Sequence, residues 1–137
     1  MKIITHLVIA LAMAMSMACL ATPAKAAAED INKLACLAII EDLQGDIAAI
    51  QISGGAKAAE KLRKDLLKIL YKAESKLDKG HITETATEVV KFARKLEAAG
   101  RAGTIAPAVV AHLVGDDSIE LLHCLIKLEA DEDNDKD

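Results

Sequence analysis

Between Glu29 and Leu128 apolar residues return every three or four positions, the spacing that lines one side of an α-helix. Ile31, Leu34, Leu37, Ala38, Ile40, Leu43, Ile47 and Ile50 mark a first helix over Glu29–Ser53, stopped by Gly54-Gly55. Leu62, Leu66, Ile69, Leu70, Ala73 and Leu77 mark a second over Ala56–Lys79. Gly80 ends it as a residue free to take positive φ just past a helix C-terminus. Ala86, Val89, Val90, Phe92, Ala93 and Leu96 predict a third helix over Thr83–Ala99, ended by Gly100 and Gly103. A short piece follows from Thr104, with Pro107 in its first turn, where a missing N–H costs nothing. Its inward side is Ile105, Val109, Val110 and Leu113. Gly115 is expected to interrupt the chain there. Asp117 and Glu120 then form a capping box for a last helix with Ile119, Leu121, Leu122, Leu125, Ile126 and Leu128 inward. Runs of alternating β-branched residues are few, so the fold class is all-α, a bundle of four or five helices.

The first residues carry a different pattern. Lys2 precedes the almost wholly apolar stretch Ile3–Leu20, and Pro23 breaks it ahead of Ala24-Lys25-Ala26. A positive start, an apolar middle and small residues at the −3 and −1 positions describe a secretory signal cleaved after Ala26, with Ala28 an equally small alternative. An uncleaved anchor, or lipidation at Cys19, would also begin this way. The small residues before Ala26 oppose the first, and Ser16 and Met17 depart from what a lipidation motif requires. The expectation is therefore three segments: a signal over 1–26, a helical domain over 27–128, and a disordered acidic tail over 129–137. Export places the protein in the periplasm or outside the cell.

Export changes the meaning of the cysteines. Cys36 and Cys124 are the two that remain, one in the first helix and one in the last. An oxidising compartment and an even count favour a disulfide, which would staple the two ends of the bundle. The alternative is two separately buried thiols. A redox-active pair would show Cys-x-x-Cys, which is absent.

Composition excludes several functions. The 137 residues hold 17 Lys and Arg against 21 Asp and Glu, a net charge of −4, with Tyr71 and Phe92 as the sole aromatics. Nucleic-acid binding by base stacking or by a basic footprint has no support in these figures. His112 and His123 would meet only if the last helices pack antiparallel, giving a weak metal- or small-ligand-carrier alternative; surface histidines are the plainer reading. Asp131, Asp133 and Asp135 imitate the opening of a calcium loop but lack its glycine and its closing glutamate. Glu84 with Glu88, and Glu74 with Asp78, lie one turn apart on polar faces where solvent leaves little to tune. No catalytic residue and no cofactor is expected.

The most lopsided feature is a basic stripe on the second helix: Lys64, Lys68, Lys72, Lys76 and Lys79, widened by Lys61 and Arg63. A solvated face is the plain reading. The functional one is a docking strip for a protein partner or an anionic surface such as glycans or phospholipid head groups, or for the chain's own acidic end.

The residues around this stripe carry a resemblance. Ala73, Leu77, Gly80 and His81, followed by Val89, Phe92 and Leu96, match in order and spacing the pattern of the FIMAH-type module of secreted bacterial proteins. In that pattern a helix closes on "A-x-x-x-L-x-x-G-[NH]" and the next carries an aliphatic residue, a Phe three later and an aliphatic four beyond. Leu34–Ile50 and Gly103–Val114 agree more loosely, so the likeness extends over about Leu34–Leu128. The resemblance implies a small helical accessory unit without catalysis. The break at Gly115 and the cysteine pair depart from it.

Overall fold

The computed structural model describes residues 24–135, with side-chain surroundings for 31–132. The chain divides into a short unit, Met1–Ile31, and a larger one, Asn32–Asp137. Of the first, the described residues 24–31 are helical. Cys19 and all of the expected signal before Ala24 lie outside the described residues. The fold is all-α: α1 (Ala24–Ala49), α2 (Ala56–Asp78), α3 (Ile82–Ala102), α4 (Pro107–Val110), a π-helical segment (Ala111–Ser118) and α5 (Ile119–Asp135). No strand occurs among the described residues.

One core serves the larger unit. Cys36, Ile40, Leu43 and Ile47 of α1 pack with Leu66, Leu70, Ala73 and Leu77 of α2 and with Val89, Phe92 and Leu96 of α3. Ile105, Leu113, Leu121, Leu125 and Leu128 close it from the C-terminal run. The expected inward residues differ at three helices. Leu34 and Ile31 are 59% and 61% exposed, Ala38 is exposed, and Val90, Ile119 and Ile126 also face outward. Leu34–Ile40 of α1 is an unbroken apolar run, so period does not choose a face there.

Helix ends follow backbone chemistry. Gly80 sits at φ 80°, its N–H donating to Leu77 O while the N–H of His81 donates to Lys76 O. That pair of bonds is a Schellman ending, and it turns the chain directly into α3. Gly103, at φ 77°, ends α3 with Thr104 N–H on Ala99 O. Gly100, expected as a stop, lies inside α3. A Cβ there would stand 3.1 Å from Val110 Cγ2, so the missing side chain lets the closing run approach. The first helix ends at Ala49 rather than Ser53, because Ser53 N–H is drawn to Thr104 O at 2.8 Å and ties its loop to the end of α3.

Gly115 does not interrupt the chain. From Pro107 to Asp135 the backbone is helical throughout, and Gly115 and Asp117 both lie in the π segment rather than at a helix start. Ser118 supplies the reason: its buried hydroxyl donates to Leu113 O at 2.7 Å, satisfying a carbonyl five residues back across the widened turn. The expected acidic tail differs likewise. Residues 129–135 continue α5, and Asp131 Oδ2 accepts a 2.6 Å hydrogen bond from Asn32 Nδ2 on α1. Cys36 and Cys124 form the disulfide, with Cα atoms 5.7 Å apart.

Candidate functional site

The Schellman turn at Gly80 makes α2 and α3 an antiparallel hairpin, and the basic stripe lies on its outer side. Its inner side, Leu66, Leu70, Ala73 and Leu77, recurs at threes and fours and is fully buried. The positions between are therefore turned to solvent, and Lys61, Lys64, Lys68 and Lys72 are all exposed there. Lys57, one turn before Lys61, extends the row. Its i−4 spacing was readable in the sequence.

Two stripe residues do other work. Arg63 is half-buried, its Nε donating to Ile47 O at 3.2 Å and its Nη2 to Ile50 O at 2.6 Å. The guanidinium thus caps the C-terminal end of α1, where a cation also meets the negative end of the helix dipole. Replacing Arg63 with Ala is expected to cost about 1–3 kcal/mol, the value of charge-assisted hydrogen bonds whose carbonyls lose their donor. Urea unfolding checks this, and Arg63→Lys should restore only part, since one ammonium cannot reproduce the fork.

Lys76, partly exposed, holds Glu84 of α3 at 2.9 Å. The Lys76 hydrogen bond and charge, aided by His81 at 3.3 Å, hold the Glu84 carboxyl below the ordinary glutamate value of 4.5. The carboxylate form is therefore favoured by folding. Its contribution is present above the ordinary value and is lost as pH falls through the lowered one. Carboxyl NMR titration should find Glu84 returning toward 4.5 in Lys76→Gln, while the wild type stays below it.

α3 completes the surface. Glu88, expected on a polar face, is instead buried, with Lys72 at 3.8 Å and Lys91 at 3.4 Å from its Oε1. Lys95 reaches Asp65 of α2 at 3.6 Å. A carboxylate removed from water needs such partners, and two ammonium groups flank this one. The face thus carries Lys57, Lys61, Lys64, Lys68 and Lys72 from α2 and Lys91 and Lys95 from α3, while Asp65, Glu84 and Glu88 are each already held by a lysine. Lys91 and Lys95 were missed in the sequence because only the hairpin pairing brings them alongside the stripe.

The remaining candidates do not converge. His112 and His123 lie on one continuous helical run, so the antiparallel packing that would join them is absent. His112 contacts Asp116 at 3.1 Å and Asp117 at 3.6 Å on the exposed side of the π segment. Among the described residues no cluster of three His, Cys, Asp or Glu could hold a metal ion. Glu74 accepts from Gln44 Nε2 at 2.6 Å, a contact that fastens α1 to α2. An open hollow of about 560 Å³ between the end of α3 and the π segment is lined by Gly100, Arg101, Pro107, Val110 and Val114. No helix among the described residues is long and apolar enough to cross a membrane. Comparison with protein-family models, curated proteins and solved structures finds no match to this chain.

Proposed function

We propose that this is an exported, non-catalytic helical accessory protein of the periplasm or cell exterior, similar in kind to the FIMAH-type module, that acts by docking. The observation that carries the reading is the row of exposed lysines on α2, a charged surface with no partner of its own chain at Lys57, Lys61, Lys64 and Lys68 among the described ion pairs. The secretory pattern of the first residues supports export. The Cys36–Cys124 bond agrees with it, because such bonds persist in oxidising compartments. The Gly80-His81 ending of α2 and the unbroken run from Pro107 to Asp135 agree with the helical order of the resemblance.

Expression of the full chain in an exporting bacterium tests the reading by cell fractionation and intact mass. The expected product lies outside the cytoplasm, starts near Ala27 and is two hydrogens lighter than its reduced form. A full-length, reduced, cytoplasmic product overturns it.

A further inference from the structure

We propose that the outer face of the α2–α3 hairpin docks on an anionic phospholipid bilayer, an inference that rests on the docking role above and names its partner.

The arrangement of charge favours a plane over a strand. α2 has 23 residues, a length of about 35 Å, and α3 lies beside it at the usual interaxial distance of about 8–10 Å. Lys95 is matched by Asp65, but Lys72 and Lys91 share the single carboxylate of Glu88 across the two helices. One positive charge is left over there beside the free row of α2, so the face is positive in two directions. A single polyanionic chain would follow one row and leave the other unmet. A bilayer surface meets both.

The type of cation points the same way. The outward cations of α2 are all lysine, with the exposed Glu60 among them, and its one arginine, Arg63, is turned inward to cap α1. Arginine forks read a phosphate or carboxylate with fixed geometry, whereas lysine ammonium groups act as point charges on flexible stems. Such groups suit mobile head groups that present no fixed array. Tyr71 adds a second feature: it is 57% exposed and lies one turn from Lys68 along α2. An aromatic ring with a polar tip is the side chain favoured at head-group depth. The face has no row of exposed leucines or isoleucines, so the contact is electrostatic and peripheral.

The acidic end of α5 orients the contact. Glu129 and Glu132 line a hollow with Gly80, His81 and Glu84 at the α2–α3 turn. Negative charge at that end repels an anionic surface. The footprint therefore lies over Lys57–Lys72, and Lys79, beside the turn, stands outside it. At physiological salt, screening acts within about 8 Å, so this local face governs the contact although the whole chain is net negative.

Sedimentation of the disulfide-bonded protein recovered from cells with phosphatidylcholine vesicles, with or without one-third phosphatidylglycerol, tests the proposal. Binding is expected to the anionic vesicles alone and to be lost in high salt. Lys61→Glu/Lys64→Glu/Lys68→Glu changes exposed residues and should leave the circular dichroism unchanged while weakening partitioning about 100-fold or more. The neutral triple Lys→Gln substitution serves if the reversed one does not fold. Arg101→Glu/Lys127→Glu, exposed elsewhere, should bind within a few-fold of the wild type. No binding to anionic vesicles at low salt overturns the proposal, as does equal binding by the triple variant. Capture on dextran sulfate without vesicle binding also overturns it and assigns the face to a soluble polyanion. A protein kept in the cytoplasm that still binds these vesicles refutes export alone.

Discussion

Phe92→Ala is expected to remove about 3–5 kcal/mol of stability, the range for deleting a buried aromatic ring from a packed core. Phe92 is the chain's one phenylalanine and is fully buried in α3, among the core side chains of α1, α2 and the C-terminal run. Deleting the ring removes apolar area from burial and leaves a cavity that helices on several sides cannot all close upon. A domain of this size holds about 5–15 kcal/mol in total, so the variant should unfold at a much lower urea concentration. Phe92→Leu keeps most of the volume and should cost about 1 kcal/mol. Far-ultraviolet circular dichroism is the right probe, because the chain has no Trp and Tyr71 is already exposed. A loss under about 1 kcal/mol for Phe92→Ala would mean that the three helices do not share one core at this point.

Much of this core was legible because its chemistry is local. The inward positions of α2 follow from period alone, since lysines occupy the opposite side and leave one apolar stripe. Gly80 and Gly103 were readable as helix ends because a left-handed residue is needed there and glycine takes it without a Cβ clash. The cysteine pair was readable from its even count. Where residues depend on a neighbour from elsewhere in the chain, the pattern says less. Gly100 has the look of a stop, yet its role is to admit Val110. Gly115 and the Asp117–Glu120 pair resemble a break and a fresh start. The chain runs on because Ser118 bonds Leu113 O and a wide turn absorbs the extra residue.

The candidate surface divides in the same way. The lysines of α2 repeat on one helix and announce themselves. Arg63 shares their charge but stands off their three-four spacing, so its position faces the end of α1, and carbonyls without donors claim it. Glu88 illustrates the converse: a carboxylate assigned to solvent is buried, because the α2–α3 pairing places Lys72 and Lys91 around it. Isolated exposed ion pairs contribute little to stability. Here they matter more by deciding which lysines are committed and which remain available. Lys57, Lys61, Lys64 and Lys68 remain so among the described ion pairs, which is why the proposed docking rests on the N-terminal part of the stripe.

Removing the disulfide as Cys36→Ala/Cys124→Ala is the other change expected to threaten the fold. The bond closes a loop of 88 positions. The chain-entropy treatment puts the release of such a loop at about 4–5 kcal/mol, and loss of native disulfides from small domains runs at about 2–5 kcal/mol. The double alanine variant is the proper comparison. Cys36 is fully buried, and a single substitution would leave its partner as a free thiol at the core boundary. The effect should also be uneven along α1. Its C-terminal half keeps Ile40, Leu43 and Ile47 in the core, Gln44 on Glu74, and Arg63 on the carbonyls of Ile47 and Ile50. Near Cys36 the remaining ties are the partly buried Leu37 and Ile39 and two polar contacts that water can replace, Asn32 to Asp131 and Lys33 to the Asp78 carbonyl. Hydrogen exchange should therefore rise first over residues 32–39 and later over 40–49, with urea unfolding shifted by at least about 2 kcal/mol. Uniform exchange along α1, or a stability within about 1 kcal/mol of the wild type, would mean that the core alone fixes this helix and that the bond adds nothing to hold it.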